Sequence, residues 1–318
     1  MLLRRVVIAL ALFVTALLAS GQGAEPTLLK YKYAKGDKRY YKNVQTMKQS
    51  QTLNVNGMAI KQENSMNNEA ILAHEVAEIG ADGIALFKTK ATRRKMTADF
   101  GLAGKFEFDS QSSERDTSSQ LGQSMTPLLE RLTGSEYQIA VNPQGKVTEV
   151  KGYAELVADL LKDNPFGAQF GGGDNKTAVT NEQEAFVILS DKPVKPGDKW
   201  EVPVDVELAT LGRVKGKLTF NFEGFDKVRD VPTVRIGVTN DMSIELNLDQ
   251  GGTKVSGTIT TNNSSGTVQF DPAAGRVLLS KSTLTMGGQL TVEAGGMTIP
   301  VDNQQEQTNS YELLDKLP

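Results

Sequence analysis

KLTFNFEGFDKVRDVPTVRIGVTNDMSIELNL, residues 217–248, decides the fold class. Leu218, Phe220 and Phe222 alternate with polar residues. So do Val234, Ile236 and Val238, and then Ile244, Leu246 and Leu248. A period of two is that of a β-strand, in which residues two apart share a face. Each set can therefore line a buried surface while its neighbours meet water. Turn signals follow at Asp249 to Gly252, Asn262 to Gly266 and Asp271 to Gly275. Strands this close in sequence, joined by short turns, pair antiparallel as a meander.

The N-terminal half repeats the pattern with weaker alternation. Asn56-Gly57 is a two-residue hairpin signal, because a type I′ turn needs positive φ at both central positions. Gly80-Ala81-Asp82-Gly83 marks a turn between Ile71–Ile79 and Ile84–Thr92. The strands flanking Asn56-Gly57 are rich in Gln, Asn, Thr and Ser. Both of their faces read as partly wet, so the turn sets their register more than hydrophobicity does.

A mixed segment lies between. Thr126-Pro127 resembles an N-cap with a first-turn proline, followed by Leu128, Leu129 and Leu132 and stopped by Gly134. Tyr153 to Lys162 is a second short helix, with Leu156, Val157, Leu160 and Leu161 on one side and Pro165 beyond. Thr180 and Gln183 fit a capping box before Glu184 to Leu189, although Phe186-Val187-Ile188-Leu189 serves equally as a strand. Asp109 to Gln120 and Phe166 to Thr177 read as mobile. Residues 25–318 form one β-rich domain, or two similar lobes (25–152 and 191–318) joined by a helical segment, 153–190.

Several fragments recur. DKPVKPGDKW (191–200) holds the only tryptophan, Trp200, and KGDKRYYK (35–42) again sets Gly-Asp-Lys before aromatic residues. Both read as strand-entry devices. Pro196-Gly197 turns the chain, Asp198 accepts a backbone N–H, and Trp200 packs inward with its indole N–H seeking one partner. Asn142-Pro143-Gln144-Gly145-Lys146-Val147 resembles Asp271 to Val277, and Leu53 to Ile60 resembles Leu290 to Ile299. The units do not keep one order in the two halves, so shared local geometry explains them as well as a tandem repeat does.

Residues 1–24 have the layout of an export leader: Arg4 and Arg5, an apolar run from Val6 to Ala19, then small residues offering cleavage. The run is short for a membrane span, and no second one follows. The expectation is an exported protein, periplasmic or extracellular, with no transmembrane segment after cleavage. Gln22 stands where a lipoprotein signal needs its cysteine, so the protein is expected not to be lipidated. The absence of cysteine excludes disulfides, thiolate metal sites and cysteine nucleophiles. A net charge of −3, more negative still without Arg4 and Arg5, argues against a nucleic-acid partner.

Candidate chemistry is sparse. His74 is the only histidine, and Glu78 stands where a zinc-protease helix needs its second one. Gly171-Gly172-Gly173-Asp174-Asn175-Lys176-Thr177 lacks the Gly directly before Lys that a phosphate loop requires. Lys88, Lys90, Arg93, Arg94 and Lys95 read as a solvated strand end before a contact for anionic lipid. Asn175-Lys176-Thr177 and Asn263-Ser264-Ser265 match the glycosylation pattern incidentally. No carboxylate pair is singled out by spacing, so no catalytic, cofactor-binding or metal-binding residue is assigned and no cofactor is expected.

Tyr33-Ala34-Lys35-Gly36-Asp37-Lys38, a long Gln/Met/Thr-rich hairpin, Pro-x-Gly-Lys-Val, a leucine helix and Asp191 to Trp200, in that order, resemble an uncharacterised family of exported bacterial proteins of about this length. Many members carry more methionine in the first hairpin than Met47, Met58 and Met66 supply here. The resemblance implies no activity, substrate or site residue. The fold expected is mainly β (α+β): an antiparallel meander of long curved strands with a few short helices between two β-rich halves. The function expected is non-catalytic binding of an apolar ligand or partner on a concave sheet. The alternatives are association through strand edges, or hydrolysis by carboxylates that meet only in space.

Overall fold

The computed structural model describes residues 25–55, 57–117, 119–161, 175–208, 212–250 and 252–317. The leader, Asn56 and the Phe166–Asp174 part of the second expected mobile stretch lie outside them. The strands are β1 (Lys38–Val55), β2 (Met58–Ile79), β3 (Ala85–Asp99), β4 (Lys105–Asp109), β5 (Tyr137–Val141) and β6 (Val147–Lys151), then β7 (Lys199–Leu208), β8 (Gly212–Val228), β9 (Val231–Gln250), β10 (Thr253–Asp271), β11 (Arg276–Ala294) and β12 (Met297–Leu314). The helices are α1 (Gln120–Leu132), α2 (Tyr153–Leu161) and α3 (Asn175–Gln183).

The strands form one 12-stranded antiparallel sheet in the order β6-β5-β3-β2-β1-β12-β11-β10-β9-β8-β7, with β4 added to β3. It is an open meander, because β6 and β7 end the path without pairing to each other. Its centre is the contact of the first and last strands, from Tyr40 opposite Leu314 to Leu53 opposite Val301. The β1–β2 hairpin closes with Val55 opposite Met58, and Gly57 adopts φ 80°. The Gly80–Gly83 turn forms as expected, with Gly83 N–H donating to Gly80 O at 3.0 Å.

Cross-strand partners share a face, so the registers sort every strand residue into two sets. The inward set contains Phe87, Ile139, Phe222, Ile236 and Phe270, each no more than 2% exposed. At the foot of the sheet, two irregular segments cover this face. Residues 25–37 bring in Leu29 and Tyr31, and residues 184–195 bring in Val187, Leu189 and Val194. Thr27 and Val194 exchange backbone hydrogen bonds of 2.8 and 2.9 Å.

The recurring Pro/Gly turns hold this cover in place. Tyr31 N–H donates to Pro143 O at 2.8 Å and Lys32 N–H to Gly275 O at 3.1 Å. Gly145 and Gly275 have φ of 83° and 61°. A Cβ on Gly145 would lie 2.3 Å from Val187 O, and one on Gly275 2.3 Å from Lys32 N. Both turns therefore need glycine for backbone shape and for room. The strand-entry reading of 191–200 also holds. Asp198 Oδ2 accepts from Lys195 N–H at 2.9 Å, and Trp200 stacks on Phe220 and donates from Nε1 to Ile188 O at 2.9 Å.

Three local expectations are corrected. Helix α1 starts seven residues before Pro127, capped by Ser119 Oγ, which accepts from Gly122 N–H at 2.9 Å. Pro127 lies inside the helix, whose buried Met125, Leu128 and Leu129 pack with Phe106 and Phe108 of β4. Tertiary packing thus outweighs the proline's lost hydrogen bond. Thr180 is within α3, and Glu184 to Leu189 forms neither helix nor strand. Gln183 instead braces the β5–β6 turn, accepting from Val147 N–H and donating to Gly145 O, both at 2.9 Å.

Asn262 to Gly266 is not a turn either, because β10 runs through it with a bulge. Ser264 Oγ and Thr261 Oγ1 accept the Asn240 and Met242 N–H groups at 2.9 and 3.1 Å, replacing ladder bonds that the bulge breaks. The β8–β9 hairpin turn at Arg229-Asp230 holds both residues at positive φ without glycine. Among such residues aspartate is one that tolerates that conformation.

Candidate functional site: an uncharged inward trough

Beyond the foot, α1 packs on inward Met96 and Ala98 of β3 with Met66 of β2 against them, and the turn at Gly101 abuts Gln62 and Asn64. Toward the hairpin tips of β8 to β12 the inward face has no cover among the described residues, yet parts of it are buried. Ile259, Met286, Leu290 and Val301 are each at most 9% exposed, and they pack on each other and on Leu53, Ile244, Val255 and Ile299. All of these belong to the same sheet. Burial without a covering layer requires the sheet to bend toward this face, and the bulges in β8, β10 and β11 assist the bend.

Charge is segregated completely in this region. Between Tyr41 and Val55 of β1, Met58 and Leu72 of β2, Ile299 and Leu313 of β12, and Ser280 and Val292 of β11, no inward residue carries a formal charge. The same holds for inward positions between Val234 and Leu248 of β9, Val255 and Val268 of β10, and Gly212 and Phe222 of β8. The charges of these strands face outward, where Lys42 pairs with Glu69 at 2.9 Å, Lys61 with Glu63 at 2.6 Å and Lys217 with Glu201 at 2.8 Å.

The hairpin expected to be wet on both faces is therefore asymmetric. In β2, Gln62, Asn64, Met66 and Asn68 are half-buried inward, while Lys61, Glu63, Ser65 and Asn67 are exposed outward. The inward carboxamides form a directed chain. Gln62 Nε2 donates to Asn64 Oδ1 at 3.3 Å, Asn64 Nδ2 to Gln49 Oε1 at 3.2 Å, and Gln49 Nε2 to Asn303 Oδ1 at 2.9 Å. Gln51 Nε2 reaches the same Asn303 oxygen at 3.4 Å. Asn303 is 1% exposed, and its Nδ2 has no hydrogen-bond partner.

Nearer the foot, Asn43 donates to Asn309 Oδ1 at 2.8 Å, and Asn309 Nδ2 donates to Glu184 Oε2 at 3.1 Å. Beside them lies an acid–tyrosine cluster. Tyr137 Oη donates to Glu182 Oε1 at 2.6 Å, and Arg94 Nη1 donates to Asn68 Oδ1 at 3.1 Å. Burial pushes the Glu182 carboxyl up to about 7; the Tyr137 hydrogen bond opposes this, and the charge of Glu184 adds to it. Burial also raises Glu184, Tyr137, Tyr153 and Tyr311.

The residues weighed in the sequence separate. His74 is 3% exposed in β2, 3.1 Å from Thr89 Oγ1 and edge-on to Tyr41, Phe87 and Phe186. Burial, with help from Arg39, depresses it to about 4, so it is a neutral core residue at physiological pH. The basic run splits across β3: Lys88, Lys90, Arg93 and Lys95 face outward, and Arg94 faces inward. Of the glycine-rich stretch, Gly171 to Asp174 lie outside the described residues. The carboxamide set was missed because Gln and Asn were read as wet. Its signal was available in the parity of the charges, which occupy alternate positions only.

An open hollow of about 540 Å3 lies on the opposite face, lined by Glu201, Pro203, Lys215, Lys217, Asp241 and Thr260. Lys217 and Glu201 neutralise each other there. It lacks the enclosure of a ligand pocket, and four of its lining side chains are charged. Among the described residues, no helix is long and apolar enough to cross a membrane, and no group of three or more acidic or histidine side chains is placed to hold a metal ion.

Three solved structures are similar to the chain at a low level. Lipovitellin, in a structure concerned with its lipid–protein interactions, is 11% identical with a TM-score of 0.42. That match covers 89% of this chain and 25% of the lipovitellin chain, so the protein spans about a quarter of that relative's length. OccK5 of Pseudomonas aeruginosa is 7% identical over 87% of this chain and 98% of its own, with a TM-score of 0.22. OmpF of Salmonella typhi is 8% identical over 88% and 100%, with a TM-score of 0.22. No curated protein matches the sequence. Residues 82–277 match a family of unknown function, DUF6263, and the chain belongs to that family.

Proposed function

We propose that the protein is an exported, non-catalytic binding protein whose inward trough holds an apolar ligand. The observation that carries this reading is the inward face of β1 and β8 to β12 toward the hairpin tips, which carries no charge over the residues given above and has no covering layer there. A sheet that bends around apolar side chains without closing over them leaves apolar area for a guest, and burying that area stabilises a complex. Export rests on the leader-like residues 1–24.

The strand-edge alternative is weaker. Edge strand β7 carries Pro203 in its middle, with Glu201, Asp205 and Glu207 on its outer side, features that discourage pairing. Hydrolysis by assembled carboxylates has one observation in its favour, the Glu182 carboxyl raised to about 7 beside Glu184. Retained hydrolysis of a model ester by Glu182→Gln would remove it.

The direct test is native mass spectrometry of the protein purified from its own envelope, with a fluorescent apolar probe titrated into the ligand-free form. A co-purifying apolar molecule, or saturable probe binding at one site, is expected. Neither appearing would overturn the reading.

A further inference from the structure

We propose that the far half of the trough takes a single-chain amphiphile with an uncharged, oxygen-bearing head, such as a monoacylglycerol. The head oxygen seats at Asn303, and the acyl chain runs from there toward the β1–β2 and β11–β12 hairpin tips. The proposal rests on the binding reading above and gives the ligand a polarity and a direction.

The head is specified by the carboxamide chain. Its hydrogen bonds run one way, from Gln62 through Asn64 and Gln49 to Asn303, and Gln51 donates to the same final oxygen. Two donors thus converge on one acceptor, and a third donor, Asn303 Nδ2, is left with none. The local deficit is an acceptor oxygen. Bonds aligned head to tail polarise one another, so the terminal Asn303 N–H is the donor with most to gain from one. An unpaired buried donor costs free energy that an ester, amide or hydroxyl oxygen at Asn303 Nδ2 would restore.

The same face argues against a charged head. A carboxylate or phosphate placed at Asn303 would meet no inward countercharge on β1, β2, β11 or β12, and an unpaired buried charge is far costlier than a neutral dipole.

The tail is specified by what lies beyond Asn303. Val301 and Ile299 on β12, Leu53 and Val55 on β1, and Leu290 and Val292 on β11 continue the inward rows as apolar side chains. From Asn303 to Met297 the strand rises roughly 20 Å, the length of a long acyl chain. Both hairpins end in an exposed methionine at an inward position, Met58 at 65% and Met297 at 52% exposure. These mark where the chain end leaves the trough.

The test is displacement of a bound fluorescent apolar dye from the intact protein by 1-monoolein and by oleate at pH 9. Monoolein should displace the dye at about tenfold lower concentration, the worth of one added hydrogen bond and one avoided buried charge. Asn303→Leu should still bind dye but lose that preference. Gln51→Leu, which removes one donor at the periphery, should reduce it and serves as the variant should Asn303→Leu fail to fold. Equal displacement by monoolein and oleate, with the dye bound, would overturn the neutral-head proposal and leave apolar binding standing. No dye binding at all would overturn both.

Discussion

Phe222, Ile236 and Phe270, at the foot of the inward face, are at most 1% exposed beneath the 25–37 and 184–195 segments. Leu53, Ile244 and Val255, on the same face near the hairpin tips, are only half-buried and pack against their own sheet. The strands are the same ones, and the alternation is equally regular at both ends. What differs is the second layer. At the foot, apolar side chains meet a covering segment and gain the contacts of a closed core. At the far end they have one layer, and the missing half of their contacts is available to a guest. Stability is therefore concentrated at the foot, and the proposed binding surface lies toward the tips.

The comparison would break first under truncation of large side chains. Phe222→Ala should lower stability by about 3–5 kcal/mol, and Ile244→Ala, with less packing to lose, by under about 1.5 kcal/mol. Urea unfolding of both variants checks this, and equal losses would contradict the division. The cover itself is tested by Gly145→Ala, which places a methyl against Val187 O at positive φ. A loss of about 3 kcal/mol is expected from the same measurement, because both backbone strain and overlap are involved.

Protonation distinguishes the foot in another way. The Glu182 carboxyl titrates at about 7 in the native protein against 4.5 as a free side chain, so the native state holds its proton more tightly. Its ionisation costs stability as pH rises from 4.5 to 7, and the full cost remains above 7. His74 has the opposite sense. Its native value of about 4 lies below 6.5, so stability is lost as pH falls from 6.5 to 4. In the native protein the two slopes oppose each other. Glu182→Gln should stabilise the protein at pH 8 by on the order of 2–3 kcal/mol, leave it unchanged at pH 4, and expose the rising His74 profile between. Urea midpoints at pH 4, 5.5, 7 and 8 would show it; an unchanged profile would refute the burial of Glu182.

Trp200→Ala should cost about 2 kcal/mol rather than the full value for a buried ring, because Trp200 is half-buried on Phe220. The smallest effect belongs to the tips. Met58→Ser with Met297→Ser should change stability by less than about 0.5 kcal/mol, as expected for exposed positions. The same double variant should weaken apolar probe binding, which would place stability and binding at opposite ends of one face.

Much of this architecture is legible in the chain. The alternation at Leu218–Phe222 and Val234–Val238, the Asp271–Gly275 turn and the strand-entry role of Gly197-Asp198 are local features, and local features survive folding. The Asn262–Gly266 misreading shows the limit. Asn, Ser and Gly suit a bulge as well as a turn, and which one forms depends on whether the neighbouring strand continues past it. The carboxamide chain was hidden for a related reason. Alternation assigns residues to two faces but does not say which face is inside when one carries amides and the other carries lysine and glutamate.

By itself, then, the sequence determined the period-two strands, most of their turns, the mainly β class and the absence of thiol chemistry. These follow from steric and hydrogen-bonding preferences that span only a few residues. The tertiary structure alone decided that β1 pairs with β12 and so makes one sheet of two halves, that residues 25–37 and 184–195 close only the foot, and that Gln49, Gln51, Asn64 and Asn303 turn inward together. Each of these depends on contacts between segments distant in sequence, whose formation is governed by chain closure and by the total apolar area buried, and which leave no short-range mark in the chain.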